Sequence, residues 1–201
     1  ARAPVSRGGG AGGGPGAGPV ACNDLLKPFL PIPFVVEKNN HYFLTNQKNI
    51  PQSIGRLSTF MGNAGILLRA YIYIRMLGKK GLVRVADHAT LNANYLMKQL
   101  QAAGFELAFP KRRATHEFII TLKHELKTWG VGALDFAKRL LDYGFHAPTV
   151  SFPVSGTMMI EPTESEGKRE LDRFCDAMIA IRGEITEIEK GKSDTKNNVL
   201  K

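Results

Sequence analysis

The chain has 201 residues and a mass of 22.1 kDa, room for one ordinary domain or for a small domain with an extended arm. Its 43% hydrophobic and 22% charged residues exclude a chain disordered throughout, and two cysteines, Cys22 and Cys175, exclude a disulfide scaffold and a four-cysteine zinc site. The net charge of +9 is spread thinly: residues 28–110 hold nine cations against three anions, residues 151–187 four against eight, and Lys111, Arg112 and Arg113 form the one basic triplet. No aromatic-interleaved groove pattern accompanies it, so a solvated face or a surface for an acidic partner is read in preference to a nucleic-acid site. The most apolar run, residues 64–77, is broken by Arg69 and Arg75 and falls short of a membrane span, so a soluble chain in a reducing compartment is expected. No charged n-region precedes an apolar h-region at the N-terminus, although Arg2 and Arg7 stand among small residues as in a transit peptide.

Residues 1–20 are mostly glycine, alanine and proline and read as an extended arm with nothing to bury. Pro28, Pro31 and Pro33 fix extended backbone through LLKPFLPIPFVVE, and residues 38–58 are polar and turn-rich. A helix is predicted from near Asn63 to Leu77, apolar on most sides and so expected between layers, with Gly78 as its breaker. A second, over 81–102, carries Leu82, Val85, Ala89, Leu91, Leu96 and Leu100 at helical spacing and stops at Gly104. Strand-like segments at 105–109 and 117–122 flank the turn KRRAT, and a helix over 132–143 ends at Gly144. TVSFPV and TMMIE read as strands. In the last helix Thr163 and Glu166 have capping-box spacing ahead of LDRFCDAMIAI, and residues 188–201 form a charged tail expected to stay unfolded. Helices on one face of a small, largely antiparallel sheet are the economical arrangement, an α+β unit.

Three segments invite a chemical reading. Glycine backbone in GGGPGAGPV, including Gly16 and Gly18, can approach a phosphate closely, but it lacks the Walker lysine and the strand and helix of a dinucleotide fingerprint, and on spacing alone a flexible arm is read in preference. In GRLSTFMGN, Arg56, Ser58 and Thr59 bring a guanidinium and two hydroxyls to the start of a helix, which describes either an anion site or a plain N-cap loop. His146 follows a helix end at Gly144 and precedes Pro148, so its ring sits on a stiff loop, as an active group or an ordinary surface histidine. Arg113, His116 and Glu117 read as a polar strand edge, Cys175 as a small core residue, and the five histidines show no metal-ligand spacing.

The run LLDYGFHAPTVSFPVSGTMMIEPTESEGKRELDRFCDAMIAIRGEI, residues 140–185, resembles the C-terminal region of glycine dehydrogenase (decarboxylating), the pyridoxal-phosphate-dependent P-protein of the glycine cleavage system. GGGPGAGPV, LLKPFLP, GRLSTFMGN, AYIYIRMLG, LNANYL and THEFI follow in the family's order, so the resemblance covers about residues 12–185 and looks closer to subunit 2 of the split prokaryotic form. It implies a type I aminotransferase-like fold, with residues 21–103 ending the cofactor domain and 104–187 forming a small α+β domain. It also implies an enzyme that decarboxylates glycine and passes the aminomethyl group to the lipoyl arm of H-protein, in company with the N-terminal half or subunit 1. The setting would be cytoplasmic in a prokaryote and mitochondrial in a eukaryote. By the same resemblance Arg56, Ser58 and Thr59 would meet the cofactor phosphate, Gly16 and Gly18 would supply nearby backbone, and His146 would face the substrate. No metal, nucleic acid or membrane enters. The family's Schiff-base lysine lies just before the glycine run, where no lysine precedes Lys27 here, so the chain is expected to be a C-terminal fragment or, failing that, a non-catalytic interaction subunit. The acidic residues of EPTESE, Glu161, Glu164 and Glu166, read as part of the helix cap rather than as acid–base groups.

Overall fold

The computed structural model describes residues 20–59 and 61–201, which form two units, residues 20–73 and Ile74–Lys201. The arm predicted for residues 1–20, with Gly16 and Gly18, lies outside the described residues except for Val20.

In the first unit the proline run carries a short 3-10 turn, Lys27–Phe29, with Pro28 inside it. A hairpin of β1 (Val35–Lys38) and β2 (His41–Leu44) follows, in register Val35 to Leu44 and Lys38 to His41. Asn39 and Asn40, at φ 54° and 60°, take the two left-handed positions of its turn, as two-residue hairpins require. Thr45 closes the hairpin: its Oγ1 accepts from Phe34 N at 3.0 Å and donates to Phe34 O at 3.1 Å. The sequence predicted extended backbone through Glu37, where β1 lies, but only polar turns over residues 38–58, where β2 forms. Helix α1 (Ala64–Ala102) starts where Asn63 Oδ1 accepts from Ile66 N at 3.1 Å, an N-cap at the expected place. Its first segment is not enclosed as its composition predicts: Ile66 and Ala70 are buried, whereas Leu67, Leu68, Tyr71, Ile72, Ile74 and Met76 are exposed. Besides those two, only Thr45 is buried among the described residues between 20 and 73, which therefore offer little apolar mass with which to surround a helix.

Gly78 interrupts α1 with φ 62° and ψ −177°, a conformation essentially restricted to glycine. Beyond it the buried face is Ala89, Ala93, Leu96, Met97 and Leu100, with Leu82 and Leu91 turned to solvent instead of joining the predicted stripe. The continuous core lies wholly within residues 93–200. Strands β3 (Phe118–Thr121), β4 (Thr149–Val150) and β5 (Thr157–Ile160) form an antiparallel sheet in the order β3-β5-β4. The predicted strand at 105–109 shrinks to one bridge, Leu107 to Ile120, because Pro110 and the basic turn end the pairing. Helices α2 (Lys123–Trp129), which the sequence reading missed, α3 (Ala133–Asp142) and α4 (Lys168–Glu189) complete the α+β unit. Leu171, Cys175, Met178, Ile181, Ile185 and Ile188 line the buried face of α4. Arg139 on α3 donates to both carboxylate oxygens of Glu184 on α4, at 3.0 and 3.1 Å from Nε and 2.6 Å from Nη2, a hydrogen-bonded pair that holds the guanidinium well above its ordinary pKa.

Two further expectations need correcting. The last helix is capped by Gly167, not Thr163, and begins at Lys168. Residues 188–201 are not an unfolded tail: Ile188 and Leu200 belong to the core, and Lys201 donates to Gly130 O at 2.6 Å and to Asp135 Oδ2 at 2.9 Å. One apolar side chain among polar ones suffices to anchor a turn, which compositional averaging over the tail overlooks.

Near the start of α4, Lys168 donates to Asp172 Oδ2 at 2.6 Å and Tyr95 donates to Oδ1 at 2.5 Å. The Lys168 bond, and then that of Tyr95, hold the Asp172 carboxyl below the usual carboxylate range, while the Lys168 ammonium is held above its own. A depressed carboxyl contributes stability above its unfolded pKa and loses it as pH falls through its folded value. Asp172→Asn should therefore lower the urea midpoint near neutral pH, and the gap to the wild type should close as the solution is acidified.

Candidate functional site

The segment carrying Arg56, Ser58 and Thr59 is fixed at both ends by its neighbours in sequence and space. Ser53 Oγ donates to Leu30 O at 2.7 Å and accepts from Gly55 N at 3.0 Å, and Ile32 N donates to Gly55 O at 3.1 Å, so the proline run holds the loop's entry. Gly55 at φ 88° and Gly62 at φ 103° turn the chain before Asn63 caps the helix. Between them Arg56, Ser58 and Thr59 are exposed, and Arg56 makes no hydrogen bond or ion pair among the described residues. A cation and two hydroxyls within four residues are the donor set that a phosphate takes.

His146 belongs to the other unit. Gly144, at φ 77°, ends α3 with its N–H donating to Leu141 O at 2.9 Å, and Phe145 N donates to Leu140 O at 2.9 Å. Phe145 then packs edge-on against Phe174, centroids 5.3 Å apart, beneath the Arg173 guanidinium at 3.8 Å from its ring centroid. This anchor leaves the next residue, His146, exposed, and its ring makes no hydrogen bond among the described residues. The loop continues through Ser151, at φ 54°, whose N–H donates to Thr157 O at 2.8 Å.

The segment EPTESEG is a pinned loop rather than a helix cap. Asn92 Nδ2 donates to Thr163 O at 2.9 Å and to Glu166 O at 3.0 Å, and Thr163, buried, adopts φ 64°, a rare angle for a β-branched residue. Two residues along α1, Asn94 clasps the basic turn, donating to Ala114 O at 2.8 Å and accepting from Ala114 N at 3.2 Å. Both asparagines belong to the LNANYL motif, and their positioning role escaped the sequence reading because polar residues on a helix ordinarily face water. Burial pushes the Cys175 thiol up to about 11, which keeps it protonated and inert. Every lysine among the described residues is exposed, so none is enclosed as a cofactor-bearing amine would be. No helix among them is long and apolar enough to cross a membrane.

A family model described as "Glycine dehydrogenase, C-terminal domain" matches residues 85–201. Among curated proteins, "Probable glycine dehydrogenase (decarboxylating) subunit 2" of Coxiella burnetii (strain Dugway 5J108-111) is 62% identical over 180 residues, 89% of this chain and 36% of the relative. The protein of the same name from Methylococcus capsulatus is 61% identical over 182 residues, 90% of this chain and 36% of its own. Among solved structures, a glycine decarboxylase (P-protein) of the glycine cleavage system, in inhibitor-bound form, superimposes with a TM-score of 0.60 at 21% identity, over 79% of this chain and 37% of that one, a likeness in fold. The chain thus spans about a third of the length of the curated relatives it matches. With identities near 60% along nine-tenths of its residues and a matching C-terminal family model, this chain belongs to the glycine dehydrogenase family.

Proposed function

We propose that the chain is the C-terminal portion of a glycine-decarboxylating subunit, working with the rest of that protein on glycine and passing the aminomethyl group to the lipoyl arm of H-protein. The observation that carries this is the 62% identity over 89% of the chain with a relative named as subunit 2 of that enzyme. The numbered name supports a subunit 1 as partner, and a cytoplasmic setting follows if the source is prokaryotic.

Pyridoxal phosphate, when bound, supplies the electron sink that lets the glycine carboxylate leave as carbon dioxide. Arg56, Ser58 and Thr59 would hold its phosphate through charge and hydroxyl donors, with Gly16 and Gly18 as adjacent backbone. His146, whose ring is unpartnered among the described residues, would face the substrate and hold a proton at a ring nitrogen. The amine that carries the cofactor would come from elsewhere in the protein, in keeping with the exposed lysines.

The test combines this chain with the portion of the Coxiella relative outside the match, subunit 1, H-protein and pyridoxal phosphate. It follows exchange of the glycine carboxyl carbon with labelled bicarbonate. Exchange should require every component, and Arg56→Ala should raise the cofactor concentration for half-maximal rate about tenfold, the value of one charge-assisted bond. No exchange with all components present would refute the assignment.

A further inference from the structure

Arg112 and Arg113 of the basic triplet, which neither the core nor the cofactor reading uses, line an open cleft of about 220 Å³ in the second unit. Met97, Leu107 and Phe118, all buried residues, form its floor, and Phe109, Arg112 and Arg113 stand on its rim. The Arg112 guanidinium lies 6.0 Å from the Phe109 ring centroid, and Arg113 makes no hydrogen bond or ion pair among the described residues. The one acidic residue at the cleft, Glu117, faces His116 at 3.7 Å. Cations are therefore in excess over an apolar floor.

The rim is also held in place before anything binds. Asn94 clasps Ala114 through both its N–H and its carbonyl, and Ala108 N donates to Ile119 O at 2.9 Å, so the basic turn is tied at each end. A rigid rim lowers the ordering cost of association. Arginine and phenylalanine around a small apolar depression are the residue types that dominate binding energy at protein interfaces.

We propose that this cleft docks an acidic segment of a partner protein, with one aliphatic side chain on the floor and flanking carboxylates on Arg112 and Arg113. Size and openness favour this occupant. The volume falls below the roughly 300–1,000 Å³ of pockets that enclose small ligands, yet it accommodates a single side chain. A +9 chain with its densest cations at this rim would also steer an acidic surface toward it.

The probe is a fluorescein-labelled pentapeptide with leucine between two pairs of glutamates, titrated into the full 201-residue chain by anisotropy, with amide NMR shifts recorded in parallel. Binding should shift amides within residues 107–119. Arg113→Glu and Arg112→Glu should each weaken it at least about tenfold, and replacing the peptide's leucine by glycine about fivefold. Arg169→Glu, on a side chain 95% exposed on α4, should leave it within about twofold. Equal losses from Arg113→Glu and Arg169→Glu, equal binding of the two peptides, or no binding at millimolar peptide would overturn the proposal. So would an RNA oligonucleotide that bound the same rim more tightly than the peptide.

Discussion

Phe136→Ala is expected to cost about 3–5 kcal/mol of folding stability, the usual loss when a fully buried phenylalanine leaves a cavity that its surroundings cannot fill. Phe136 is completely buried, and its ring meets Phe105 edge-on, centroids 6.0 Å apart at 71°. Among the described residues it is the largest wholly enclosed side chain, on the face of α3 that also carries Ala133, Ala137 and Leu140. Because a domain of this size has about 5–15 kcal/mol in total, urea titration should show a large fall in midpoint with the slope unchanged. A loss below about 1 kcal/mol would mean that α3 does not dock as described.

The second large effect should come from Asn92, which contributes almost nothing by area. Its amide serves two backbone carbonyls, those of Thr163 and Glu166, in a buried setting. Asn92→Ala leaves both without that donor, at about 2–3 kcal/mol by the cost of unmet buried polar groups. Hydrogen exchange should accelerate first in residues 161–167, since the left-handed backbone at Thr163 persists only while its surroundings hold it. Asn94→Ala is the matched comparison, loosening the basic turn around Ala114 instead. Uniform acceleration across the unit in Asn92→Ala would show that the side chain supports the core rather than the loop.

The same asparagines mark where sequence reasoning stops. Helices α3 and α4 were legible because each buries a side-chain stripe at helical period, Leu171 to Ile188 most plainly, and strands β3 and β5 because FIIT is β-branched and aromatic and TMMI is a short apolar run. A buried asparagine on a helix has no such period; its meaning lies in a loop about seventy residues away, as the pairing of Asn92 with Thr163 shows. Spacing misled at Thr163 and Glu166. The motif fits a capping box, but the strained angle at Thr163 delays the helix to Gly167. For the candidate site, Arg56, Ser58, Thr59 and His146 could be named from residue chemistry and family resemblance, since each lies on a loop fixed by local turns and caps. The exposure of Leu68 or Tyr71 could not, because periodicity reports how apolar a helix is and not which polypeptide covers it.

The interruption at Gly78 has a thermodynamic consequence. Helix formation is cooperative because each added residue extends an existing hydrogen-bonded ladder, and a residue outside helical dihedrals ends that propagation. Residues 64–77 and 79–102 should therefore melt as separate segments. Unwinding that begins among the solvent-facing leucines of the former need not spread into the latter, where Leu96 and Leu100 are locked by packing. A single achiral residue thus acts as a boundary between a labile rod and a durable one.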